Sequence, residues 1–126
     1  MLADSPVAAM IPVNDMARAK GFYTETLGLT VTRETTEDTR LESGGTTIGL
    51  YETPYGGRAE HTLASFRVAN LDTEMSQLRS KGVTFEDYDL PGLKTVDSVV
   101  EMDDMRCAWF KDSEGNILNL TEERAG

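Results

Sequence analysis

An internal repeat constrains this chain more than any single motif in it. Val7-Ala8-Ala9-Met10-Ile11-Pro12-Val13-Asn14-Asp15-Met16 opens one half. Leu63-Ala64-Ser65-Phe66-Arg67-Val68-Ala69-Asn70-Leu71 opens the other, with Val13 falling on Val68 and Asp15 on Asn70. Further along, Gly45-Thr46-Thr47-Ile48-Gly49-Leu50 falls on Gly115-Asn116-Ile117-Leu118-Asn119-Leu120. Half of a 126-residue chain is too small to cover both faces of its own sheet. One face packs on a helix and the other stays open. Two copies that curl together can enclose a shared cavity between their open faces.

Within each half the pattern reads strand, helix, three strands. Residues 7–13 alternate, with Val7, Ala9, Ile11 and Val13 on one face and Ala8 and Met10 on the other. Asp15 is the expected N-cap of a helix over about 16–26, whose buried stripe is Met16, Ala19, Phe22 and Tyr23. Gly28 suits the left-handed position just past its end. Strands follow near 29–35, 39–43 and 46–52, with Gly44-Gly45 as a tight turn. In the second half a strand near 62–68 leads to Asn70 as N-cap and a helix through Leu71, Met75 and Leu78 that stops at Gly82. Strands are expected near 83–88, 96–102, 105–111 and 116–121, with an excursion at Leu90-Pro91-Gly92-Leu93. The expected architecture is a single α+β domain over 1–126, with two tandem βαβββ modules at about 5–53 and about 61–124. Pro54-Tyr55-Gly56-Gly57-Arg58 marks a linker at about 54–60, and the modules form a curved mixed sheet around a shared cavity.

A net charge of -10 argues against nucleic acid and anionic membrane surfaces as partners, since both require clustered Lys and Arg. No basic-then-apolar leader opens the chain, and no apolar run approaches the roughly 18 residues that span a bilayer. Cys107 is the only cysteine, so no intrachain disulfide forms and a reducing, cytoplasmic setting is expected. The acidic runs Glu86-Asp87-Tyr88-Asp89 and Glu101-Met102-Asp103-Asp104 read as solvated surface, because no Asp-x-Asp-x-Asp-Gly calcium loop accompanies them.

The repeated βαβββ pattern, with Val13-Asn14-Asp15-Met16 leading to Phe22-Tyr23-Thr24-Glu25-Thr26-Leu27-Gly28-Leu29, resembles the vicinal oxygen chelate superfamily. That group includes glyoxalase I, the fosfomycin- and bleomycin-resistance proteins and extradiol dioxygenases. The closing stretch Ala108-Trp109-Phe110-Lys111-Asp112-Ser113-Glu114-Gly115-Asn116-Ile117-Leu118-Asn119-Leu120 is similar to the family's terminal hairpin, which usually reads Asp-Pro-Asp-Gly-Asn. In metal-dependent relatives, His or Glu ligands come from the first and last strands of each module. The resemblance implies Ala8, Gly49, Leu63 and Asn119 at those places. Three of these carry no donor atom, and Asn119 offers one neutral amide oxygen, so no metal or other cofactor is expected. A register slip by two residues would offer Met10, Tyr51, His61 and Thr121, of which only His61 is a good ligand.

The candidate cavity residues are Met10, Tyr51, His61, Ser65, Arg67, Cys107, Trp109 and Asn119. A three-residue loop of Ser113, Glu114 and Gly115 would set Cys107 opposite Thr121 and Trp109 opposite Asn119 on the cavity face. Ala108, Phe110, Leu118 and Leu120 would then face the helices. Trp109 either presents a flat surface for an aromatic or cationic ligand or fills the trough as core. Met10 and Met105 supply an adaptable wall, and Tyr51, Ser65, Arg67 and Asn119 supply polar handles. His61 reads as a rim histidine and Cys107 as an inert buried thiol. Together these features lead to a small-molecule-binding protein of the bleomycin-resistance type that lacks the catalytic metal. The alternative is a glyoxalase-like lyase or dioxygenase, metal-dependent or metal-independent. A homodimer is expected by analogy with the family.

Overall fold

The repeat is realised as two four-stranded mixed sheets in a computed structural model that describes residues 1–123; the expected end of the second module near 124 lies outside them. In one sheet the order is β1 (Ala9–Val13), β4 (Thr46–Glu52), β3 (Asp38–Ser43), β2 (Thr30–Glu34). In the other it is β5 (Thr62–Arg67), β10 (Ile117–Glu123), β9 (Met105–Lys111), β8 (Val100–Met102). The registers of the two sheets coincide under the sequence repeat. Met10 pairs Gly49 and Ile11 pairs Leu50 across the parallel β1–β4 ladder. Their counterparts Ser65 and Asn119, and Phe66 and Leu120, pair across β5–β10.

The helix starts repeat with the same fidelity. Helix α1 (Met16–Gly21) is capped by Asp15, whose side chain accepts the Arg18 N–H, and α2 (Leu71–Ser80) by Asn70, which accepts that of Thr73. The first N–H of each helix also finds a glutamate from the equivalent strand: Met16 donates to Glu52 at 3.1 Å and Leu71 to Glu122 at 3.0 Å. Beyond Gly21 the first helix widens into a π-helical turn, Phe22–Thr26, where the Thr24 hydroxyl bonds back to the Lys20 carbonyl. Gly28 and Gly82 end the two helical segments at φ of 78° and 93°.

The second half departs from the expected pattern along one edge. Residues 83–88 form no regular strand: Phe85 makes a single bridge to Phe110, and the Glu86 N–H donates to the Trp109 carbonyl. The strand expected at 96–102 is confined to Val100–Met102. Between the Phe85–Phe110 and Val100–Cys107 pairings the edge advances fifteen residues while β9 advances three, so twelve residues loop out. Pro91 and Gly92 turn that loop into a small hairpin of β6 (Asp89–Leu90) and β7 (Leu93–Lys94), since proline cannot continue a ladder.

Each sheet buries one face under a helix. Ile11, Val13, Leu41, Ile48 and Leu50 of the first join Ala108, Phe110, Leu118 and Leu120 of the second in one continuous core, with Tyr23, Leu71, Met75 and Leu78 from the helical segments. The halves are also clamped by buried polar groups on the β9–β10 loop. Asp112 accepts the Tyr23 hydroxyl at 2.6 Å and the N–H groups of Glu114 and Asn116. Glu114 accepts from the backbone of Asn14 and Asp15, from the Arg18 guanidinium at 2.7 Å and from Ser113. Asn116 takes the Gly57 N–H and donates to the Pro12 carbonyl. Among the described residues no helix is long and apolar enough to cross a membrane.

Candidate ligand-binding face

The pleat that buries Leu118 and Leu120 turns their neighbours the other way. Asn119 and Thr121 on β10 therefore share the open face with their cross-strand partners Trp109 and Cys107 on β9 and Ser65 and Arg67 on β5. Five of the eight candidate residues, Ser65, Arg67, Cys107, Trp109 and Asn119, meet there. At the centre the Asn119 Oδ1 accepts the Ser65 hydroxyl at 2.6 Å and the Thr121 hydroxyl at 2.5 Å. Cys107 is buried, with its Sγ 3.5 Å from the Thr121 hydroxyl. Arg106, beside it in sequence, turns to the helix side and pairs with Asp72 at 3.1 Å.

Trp109 defines the surface of this face. Its indole N–H reaches across β10 to the Thr62 hydroxyl of β5 at 3.0 Å, so the ring lies along the sheet and does not stand away from it. Tyr88, brought in by the looped-out edge, packs edge-on against the indole with ring centroids 5.7 Å apart. Burial first, then the charge of Glu86, raises the Tyr88 phenol above its usual 10.0, so it is a neutral donor at physiological pH. Tyr88 and Thr62 were not foreseen. Tyr88 sits in the irregular excursion. Thr62 takes its place through a bulge between Ile117 and Leu118, which leaves Leu63 without a partner in the ladder.

The remaining candidates stand apart. Met10 lies on the open face of the first sheet, folded over Gly49, where a Cβ would come within 2.7 Å of the Met10 sulfur. Tyr51 is exposed on the same strand as Gly49. His61 is exposed just before β5, its Nδ1 at 3.0 Å from the Thr62 carbonyl, and touches neither group. A cleft of about 570 Å³ runs along the seam of the two sheets, lined by residues that include Ala9, Thr47, Ile48, Ser65 and Arg67. It joins the edge of the Trp109 face to the first sheet, where Ser65 and Met10 are exposed.

A family model described as the glyoxalase/bleomycin resistance protein/dioxygenase superfamily matches residues 6–120. The chain belongs to that superfamily. A search among curated proteins finds no significant match. Solved structures of the superfamily type share its fold at low identity. UcmS2 superposes with a TM-score of 0.74 at 23% identity, over 92% of this chain and 96% of that one. TnmS3, an antibiotic-binding protein from Streptomyces sp. CB03234, gives 0.74 at 21% over 98% of both chains. Lactoylglutathione lyase from Agrobacterium tumefaciens gives 0.68 at 14% over 94% and 93%.

Metal-dependent members of the superfamily need donors that this face does not provide. Ala8 lies outside β1, Gly49 is covered by Met10, and Leu63, unpaired at the bulge and partly buried against the core, carries no donor atom. Thr62, which the bulge puts in its stead, is engaged by the indole. The Asn119 oxygen already accepts two hydroxyls. Among the described residues no group of three or more His, Cys, Asp or Glu side chains is placed to hold a metal ion. Within one chain the residues present on this face do not fit the metal.

Proposed function

We propose that this superfamily member is a small-molecule-binding protein of the bleomycin-resistance type that works without a metal, with the Trp109 face as its binding surface. The observation that carries this reading is the placement of the indole. A partly exposed tryptophan, laid along the sheet and braced by Thr62 and Tyr88, is a preformed platform for a flat ring, and its geometry costs nothing to organise on binding. Ser65, Arg67 and Asn119 add polar contacts, and Met10 and Tyr51 line the opposing sheet. The likeness to an antibiotic-binding protein supports the same reading. We further propose one domain of two modules joined near 54–60, acting in the cytoplasm as a homodimer whose second copy roofs each open face.

The chain has a single tryptophan, so its fluorescence reports on this face alone. Planar aromatic compounds should quench it saturably, Trp109→Leu should lose their binding in calorimetry, and chelator should change neither result. Absence of saturable binding across a panel of fused-ring compounds would overturn the proposal.

A further inference from the structure

Asn119 sits in the middle of the Trp109 face, 5% exposed, and its carboxamide is anchored at one end only. The two contacts to Oδ1, at 2.6 and 2.5 Å, fall in the range of O–H···O bonds, whereas N–H···O bonds centre near about 2.9–3.0 Å. Proton counting agrees. Each hydroxyl carries one proton. With the oxygen end inward, Ser65 and Thr121 both find an acceptor, and the Cys107 thiol donates to Thr121. Turned round, the amide would donate to both hydroxyls. Their two protons would then compete for the single 3.3 Å contact between them, and one would have to turn to solvent at the exposed Ser65. The chain itself therefore fixes which end of the amide faces outward.

That end is Nδ2. It has no hydrogen-bond partner among the described residues, yet it is not sealed off, because among them the one fully buried side-chain nitrogen or oxygen without a hydrogen bond is Arg106 Nε, which is ion-paired with Glu101. An amide donor on a nearly buried side chain thus opens beside the indole. We infer that Asn119 is a specificity-determining residue: this face selects flat ring compounds with a hydrogen-bond acceptor at the ring edge, typically a carbonyl oxygen. Ser65 and Thr121 are its positioning residues. A ligand with a hydrocarbon edge would strip water from Nδ2 and return nothing, and an acceptor restores the bond; discrimination arises from that difference. The inference rests on the binding role proposed above and narrows it to a ligand class.

Acetylnaphthalene and ethylnaphthalene, substituted at the same carbon, share the ring and nearly the volume, and differ in the acceptor. Titrated against Trp109 fluorescence, the ketone should bind the wild type roughly tenfold more tightly. Asn119→Leu should abolish the ketone's preference, leaving ketone and hydrocarbon with equal affinity. Asn119→Asp keeps the shape and both hydroxyl contacts but presents an acceptor. It should reverse the preference toward aminomethylnaphthalene, and it decides the matter if the leucine variant fails to fold. Ser65→Ala combined with Thr121→Val frees the amide to turn and should cut the ketone preference to about threefold or less while quenching persists. Equal binding of ketone and hydrocarbon by folded wild type would overturn the inference and leave the binding role standing. Quenching by neither would overturn both.

Discussion

Glu114 is the most consequential single side chain for the join between the two halves, and Glu114→Gln should expose how much it contributes. Its carboxylate is wholly out of water, while its partner Arg18 is half exposed. The Arg18 guanidinium first, then the N–H groups of Asp15 and Asn14 and the Ser113 hydroxyl, hold the carboxyl down from 4.5 to about 2 against the opposing cost of burial. That displacement caps the contribution at about 3 kcal/mol at neutral pH, and screening at the exposed Arg18 brings it nearer about 2 kcal/mol. Glutamine keeps one oxygen for the two backbone donors but turns an N–H₂ toward the guanidinium. For a chain of this size a loss of about 2 kcal/mol should lower the melting temperature by roughly 6–12 °C. Because the folded pKa is the lower one, this stability is complete above 4.5 and fades as pH falls toward about 2. Urea unfolding of wild type and variant, followed by circular dichroism from neutral pH into that range, should show the gap closing with acid. A gap that is absent at neutral pH, or that keeps its size throughout the acid range, would refute the reasoning.

Two further substitutions probe the same clamp. Tyr23→Phe removes the hydroxyl that Asp112 accepts at 2.6 Å in a fully buried site and should cost about 1–3 kcal/mol in chemical unfolding. Burial, followed by the charge of Asp112, raises the Tyr23 phenol above 10.0. The wild type should therefore lose stability as pH climbs past 10.0, and the variant should lose it less steeply. Gly57→Ala would bring a Cβ to 2.0 Å from the Glu114 carbonyl oxygen at a φ of 75°, a backbone clash that should cost more than about 3 kcal/mol. Gly28→Ala has a similar φ of 78° with nothing within 4 Å and should cost about 1–2 kcal/mol in the same assay.

What was legible in the sequence is what repeats or alternates. The two N-caps and the pairings of Cys107 with Thr121 and Trp109 with Asn119 follow from caps, period-two burial and a short loop. Each of these is decided locally. The broken edge at 83–102 was not legible, because Phe85, Val99 and Val100 have the apolar pattern of strands while a twelve-residue detour is set by tertiary room beside β9. The bulge at Leu63 was hidden for a similar reason: a single extra residue changes the face without changing the pattern. It left Leu63 out of the ladder and set Thr62 within reach of the indole N–H. The hydroxyl pair that orients Asn119 also escaped notice, since Ser65 and Thr121 lie 56 positions apart and neither carries a motif.

The central claim, that this face binds its ligand without a metal, meets its most direct test in the metal content of the protein purified without chelator and dialysed extensively. The account predicts Ni, Zn, Mn and Fe well below one per chain, with saturable quenching of Trp109 by fused-ring ligands unaffected by chelator. One tightly held ion per chain, lost in Asn119→Ala together with ligand binding, would contradict it.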